Sequence, residues 1–236
     1  DLKILWRNSP IALVAGFLIG VSNSTFGTLG AVFGEAINLD ITSIALMMSL
    51  PILAGALFQI PIGYFSDKMD RRIVLVAIMA VAAVIDAFFI ITNPTSPLII
   101  LTAISVFGAL IYSAYPVIVA HASDHAAPGS FIKISGGLLL MYGIGGVIGP
   151  LVAGAIMSVL PQQGMFIVTL IAHLLIVAYG ALRITQNLAV REDKKSDFVG
   201  MAPGRYSTPE TSALDPRSHI SSERDMDSIY EVIDQE

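Results

Sequence analysis

The chain has 236 residues, 55% of them hydrophobic and 13% charged, with no cysteine and a formal net charge of −5 at pH 7. Soluble domains carry about 25% charged residues, so this composition, with a mean hydropathy of +0.76, excludes an ordinary water-soluble enzyme or nucleic-acid-binding module. Disulfides and thiolate metal sites are excluded by the missing cysteines.

Six apolar runs reach the roughly 20 residues that a helix needs to cross hydrocarbon. They lie at 10–33, 42–65, 73–91, 97–120, 131–158 and 164–184. Continuous apolarity, rather than short alternating segments, argues for helices over barrel strands. The expected fold is an all-α integral membrane protein with six transmembrane helices in residues 1–186. Residues 187–236, rich in Ser, Pro, Asp and Glu, read as a disordered acidic tail. Within it, Met226, Ile229, Tyr230 and Ile233 share a short helical face that a partner would have to stabilise.

Charge is divided unevenly. Residues 1–186 hold seven basic side chains (Lys3, Arg7, Lys68, Arg71, Arg72, Lys133, Arg183) and seven acidic ones, so the net −5 belongs to the tail. The connections 34–41, 92–96 and 159–163 contain no Lys or Arg; the basic residues lie in the lead, in 66–72, in 121–133 and from Arg183 onward. The positive-inside rule makes those four regions cytoplasmic, both termini included. The chain begins with Asp and shows no signal-peptide pattern, and it reads as a fragment or processed half of a longer protein.

Taken in order, the lead reaches Ser9 and Pro10, a helix start. Span 1 carries Gly16, Gly20, Asn23, Gly27, Gly30 and Gly34 at alternating steps of four and three, one helical face. Such a face is either a packing seam or the wall of a polar passage, which Asn23, Ser22, Ser24 and Thr25 would suit. Span 2 runs through Pro51, Gln59 and Pro61 into the charged decapeptide Gly63–Arg72. Span 3 holds Asp86 near its outer end, where it either functions or reaches headgroups and water. Span 4 places Ser105, Gly108, Tyr112 and Tyr115 on one face, with Pro116 bending the helix; ligand contact and interhelical hydrogen bonds both fit.

The following loop contains His121, Asp124 and His125, too few converging ligands for a metal site, and ends with Ser130 as the cap of span 5. In span 5, Gly145, Gly149, Pro150 and Gly154 permit close backbone approach and a bend. Span 6 has His173 alone among aliphatics, read as a packing residue.

The decapeptide, with Gly63, Asp67, Lys68, Arg71 and Arg72, closely resembles the G-x-x-x-D-[RK]-x-G-[RK]-[RK] signature of major facilitator superfamily transporters. The whole of 1–186 resembles the C-terminal six-helix half of a member from a drug-efflux-like bacterial branch, and span 5 is similar to its antiporter-type glycine motif. One departure is Asp70 where the signature has its second glycine; Asp tolerates a left-handed turn better than most residues.

The resemblance implies two inverted three-helix repeats and a secondary active permease in a bacterial cytoplasmic membrane. It implies a small-molecule substrate, an N-terminal six-helix half as partner, the lipid bilayer around both, and no cofactor, metal or nucleic acid. Gly63, Asp67, Lys68, Arg71 and Arg72 would form a gating motif, with Asp67 facing a helix N-terminus of the other half. Asn23, Phe26, Tyr112 and Tyr115 would line the substrate cavity ahead of Asp86 and His173, whose helices are peripheral in the family. If protons drive transport, the titrating carboxylate would then sit in the other half.

Three alternatives to secondary transport exist for such a chain. A membrane serine hydrolase would have only Ser135, beside Gly136 and Gly137, with His173. A non-transporting scaffold or receptor would recruit partners through the acidic tail. An ABC permease subunit fails for want of a loop long enough to hold a coupling helix. No enzyme activity is expected.

Overall fold

The computed structural model describes residues 5–6, 9–125 and 131–186. Six helices fill the six apolar runs: α1 Pro10–Ala36, α2 Ile41–Lys68, α3 Arg71–Thr92, α4 Pro97–Asp124, α5 Phe131–Met157 and α6 Gly164–Gln186. Each is long and apolar enough to cross a membrane. The tail 187–236 and the Ser130 cap lie outside the described residues.

Local chemistry sets the helix ends. Asp40 caps α2 by accepting from the backbone N–H groups of Thr42 and Ser43 at 3.0 and 3.1 Å. Asp70 caps α3 in the same way, accepting from Arg72 N–H at 3.0 Å. After α1 the chain turns through Asn38 at φ 58, and Leu39 N–H reaches back to Gly34 O at 3.0 Å. Asn93, at φ 41, ends α3.

All the helices but α5 outrun their apolar windows, because a helix continues until something caps it and not until hydrocarbon ends. This corrects two expected loops. Of residues 66–72 only Met69 and Asp70 lie between helices, and His121 and Asp124 belong to the last turn of α4. The turn at Asp70 is corrected too: its φ is −60, so it serves as a cap and adopts no left-handed conformation.

The dominant helix pairs are α1 with α5, α2 with α4, and α3 with α6. Exchanging α1–α3 for α4–α6 maps this set onto itself. That is the packing signature of two repeats, and three helices per repeat makes the second enter from the opposite side. The first pair depends on glycine. A Cβ on Gly20 would stand 2.1 Å from Tyr142 O, and one on Gly145 would stand 2.1 Å from Phe17 O. Backbones this close leave no room for any side chain.

The glycine face of α1 therefore serves two neighbours. Gly16 and Gly20 meet α5, Gly30 and Gly34 meet Met48, Ile44 and Met47 of α2, and Gly27 between them has nothing within 4 Å. On α4 the pattern recurs: Gly108 meets Pro51 of α2, while the Tyr115 ring lies edge-on to Tyr142 of α5 at 5.1 Å. An aromatic cluster fills the core between α1, α3 and α6, with Phe89 stacked on Phe166 at 4.3 Å and Phe33 edge-on to Phe166 at 5.0 Å.

Candidate functional site

Two polar constellations stand out from the apolar bundle. The first lies where α2 gives way to α3. Arg71 opens α3, yet its side chain is 1% exposed, because the ends of α2 and α4 close over it. Its Nε donates to Asp124 Oδ2 at 2.8 Å, and its Nη1 lies 3.1 Å from Asp67 Oδ1 and 3.4 Å from Ser66 Oγ. One guanidinium thus ties the last turns of α2 and α4 to the first turn of α3. Its two carboxylate partners differ: the Asp124 side chain is 2% exposed, that of Asp67 41%.

Arg72 makes a second clamp. Its guanidinium embraces the Asp70 carboxylate (Nη2–Oδ2 2.6 Å) and its Nη1 donates to Arg183 O at 3.1 Å, reaching the last turn of α6. Burial pushes the Asp70 carboxyl up, but the hydrogen bonds and charge of Arg72 outweigh it and hold it below the usual carboxylate range. Lys68 lies over the Tyr64 ring, 4.4 Å from its centroid. Gly63 is buried one turn before Asp67. All five residues of the charged signature are therefore brought to one end of the bundle, and Asp124 joins them.

The second constellation lies inside the bundle. Asp86 of α3 and His173 of α6 are both fully buried, with Oδ2 2.6 Å from Nδ1. Thr169 donates to Asp86 Oδ1 at 2.6 Å, and Ser22 Oγ of α1 lies 2.8 Å from His173 Nε2. Asp86 at 0% exposure reaches neither headgroups nor water. Asp86 and His173 are each the single Asp, Glu or His of their helices, and α3 and α6 pack together. That was the available signal, but nothing in the sequence set their relative depth and rotation.

The remaining candidates are dispersed. Phe26 is fully buried, edge-on to Phe107 at 5.8 Å, and Tyr115 is buried against Tyr142. Tyr112 is part-buried opposite Gly55. Asn23 is 7% exposed, and no described residue hydrogen-bonds its Oδ1. It sits one turn from the open position at Gly27. On α5, Gly145 and Gly149 take the backbone of α1 within contact distance, whereas Gly154 faces open space. Ser135 is buried but does not meet His173; Ser22 does. His121 and His125 rings lie 4.6 Å apart, and no group of three His, Cys, Asp or Glu converges among the described residues.

The chain is 26% identical over 153 residues to a Bacillus subtilis protein named uncharacterized MFS-type transporter YfkF, covering 64% of this chain and 37% of that protein. It is 27% identical over 125 residues to the Salmonella paratyphi B protein named uncharacterized MFS-type transporter YcaD, covering 53% and 31%. The crystal structure of an auto-inhibited POT family peptide transporter superposes with a TM-score of 0.66 at 9% identity, over 78% of this chain and 38% of that one. That likeness concerns the fold. The chain spans about a third of the length of these relatives. The family model for the Major Facilitator Superfamily matches residues 12–224. The chain belongs to that superfamily.

Proposed function

We propose that the chain is the C-terminal six-helix half of a secondary active permease, which moves a small molecule by alternating access together with an N-terminal six-helix half. The observation that carries this reading is the α2–α3 junction. Arg71 holds Asp124 inside the bundle while Asp67, on the same guanidinium, keeps 41% of its side chain exposed at the bundle's end. An anionic group in that position suits the positive N-terminal end of a helix in a second body, and such a contact would latch one state of the cycle. Gly63, Lys68 and Arg72 brace the latch.

Rocking of two bodies about a shared midplane site is how inverted-repeat carriers work, and the open notch at Gly27 beside Asn23 suits the wall of such a site. Tyr112 is the next candidate for it. Segregation of every basic residue to one set of connections supports cytoplasmic termini in a bacterial cytoplasmic membrane. No enzymatic step is invoked.

The test is flux in proteoliposomes with a panel of radiolabelled small molecules. Flux is expected when this chain is supplied with its N-terminal half, in one polypeptide or two. Saturable flux through the purified 236-residue chain alone would overturn the half-carrier reading.

A further inference from the structure

The charged junction needs no proton to be explained, but the interior cluster does. Asp86 and His173 are 0% exposed, and so are Ser22 and, within 1%, Thr169. Both carboxylate oxygens and both ring nitrogens have partners within 2.8 Å, so the cluster is closed on itself.

Its proton count is the informative quantity. With Asp86 ionised and His173 neutral, Ser22 donates to Nε2 and the four groups carry one net negative charge. One further proton, on Nε2 or on the carboxyl, makes the cluster neutral. If it sits on Nε2, the N–H donates to Ser22 Oγ and no hydrogen bond is lost. A net charge out of reach of water is heavily penalised unless a counter-charge stands beside it.

None is near among the described residues. On α3, Arg71 and Arg72 begin the helix, about 20 Å along its axis from Asp86. On α6, Arg183 is about 15 Å from His173. Helix α1 offers Glu35, about 20 Å from Ser22 and of the wrong sign. Helix α4 presents the Phe107 ring, 5.7 Å from the His173 ring, and keeps His121 and Asp124 for its far end. The charged groups of α2 and α5 are Asp67, Lys68 and Lys133, all toward the junction end of their helices.

We propose that Asp86, His173, Ser22 and Thr169 form a proton-binding site that holds one proton while α1, α3 and α6 are closed, and releases it only when those helices part and admit water. In the release step an N–H or carboxyl O–H bond breaks, its electron pair stays on nitrogen or oxygen, and water takes the proton. The site puts a proton-binding pair within this chain. Its consequence for transport, proton-linked movement, rests on the proposed function; its occupancy does not.

The test uses the full chain in lipid nanodiscs with nitrogen-15 histidine, read by NMR for the His173 ring and by infrared spectroscopy for a protonated carboxyl. His173→Gln and Asp86→Asn assign the signals. Ser22→Ala, which keeps both titratable groups, assigns the ring through its Nε2 shift if those variants do not fold. At neutral pH either a doubly protonated His173 ring or a protonated Asp86 carboxyl is expected. A neutral ring beside an ionised carboxylate would overturn the proposal.

Raising the pH should remove that proton together with a fall of about tenfold in amide protection factors, which are corrected for base-catalysed intrinsic exchange, along α3 and α6 around the cluster. Proton loss with unchanged protection factors would overturn the coupling to helix separation. Neither readout requires flux, so a chain that transports nothing can pass and an active carrier can fail.

Discussion

Asp124→Asn and Asp67→Asn remove charges from the same guanidinium, and the structure separates their consequences. Asp124 is 2% exposed and 2.8 Å from Arg71 Nε; Asp67 is 41% exposed and 3.1 Å from Nη1 in an i,i+4 pair. Removing one partner of a buried ion pair strands the other charge, which typically costs about 3–5 kcal/mol. Asp67 still offsets part of the Arg71 charge, so about 2–4 kcal/mol is expected for Asp124→Asn. A half-exposed helical pair is worth about 0.3–1 kcal/mol after solvent screening, which bounds Asp67→Asn.

Equilibrium unfolding of the chain in mixed micelles, with increasing SDS, reads both. The curve for Asp124→Asn should move strongly and that for Asp67→Asn barely. Restoring the carboxylate as Asp124→Glu should recover part of the loss. In the assembled carrier the ranking reverses in kind: Asp67→Asn should impair flux at normal expression, since a helix-end contact of about 0.3–2 kcal/mol shifts a two-state equilibrium up to about thirtyfold. Equal destabilisation by the two substitutions would refute the division of labour at Arg71. Unchanged flux in Asp67→Asn would remove the latch.

Gly20→Ala should push α1 from α5 and cost about 1–3 kcal/mol by overpacking, because the added Cβ meets Tyr142 O at 2.1 Å. Gly27→Ala meets nothing within 4 Å and should be neutral or stabilising in the same unfolding assay. The Asp40 carboxyl is held below its usual range by hydrogen bonds from the Ser43 side chain and from the Ser43 and Thr42 backbone. Its cap on α2 should therefore be intact at neutral pH and fail only as the pH falls below the ordinary carboxylate range, seen as a loss of protection at the Thr42 and Ser43 amides relative to their intrinsic exchange at each pH. The native chain has no cysteine, so cysteines at Asn38, Asn93 and Gln162 should each label with an impermeant reagent from outside intact cells; labelling of Asn93 only after permeabilisation would invert the topology.

What the sequence by itself determined is what depends on neighbours along the chain. Six spans follow from hydropathy over about 20 residues, and the start at Pro10 follows from the fit of proline to a first helical turn. The charged signature was legible because its members lie within ten residues, on the end of α2 and the start of α3 with only Met69 and Asp70 between them. Tertiary structure decided the rest. Asp124 lies 53 residues from Arg71, His173 lies 87 from Asp86, and Ser22 lies 151 from His173. Each pairing depends on the depth and rotation at which two helices dock, and apolar windows are blind to both. The glycine stripe of α1 shows the same limit: its spacing defines a face, but only the crossing of α5 below and α2 above leaves Gly27 open between two closed seams. A single stripe read along one helix cannot say how many partners share it, because that is a property of the neighbours' paths.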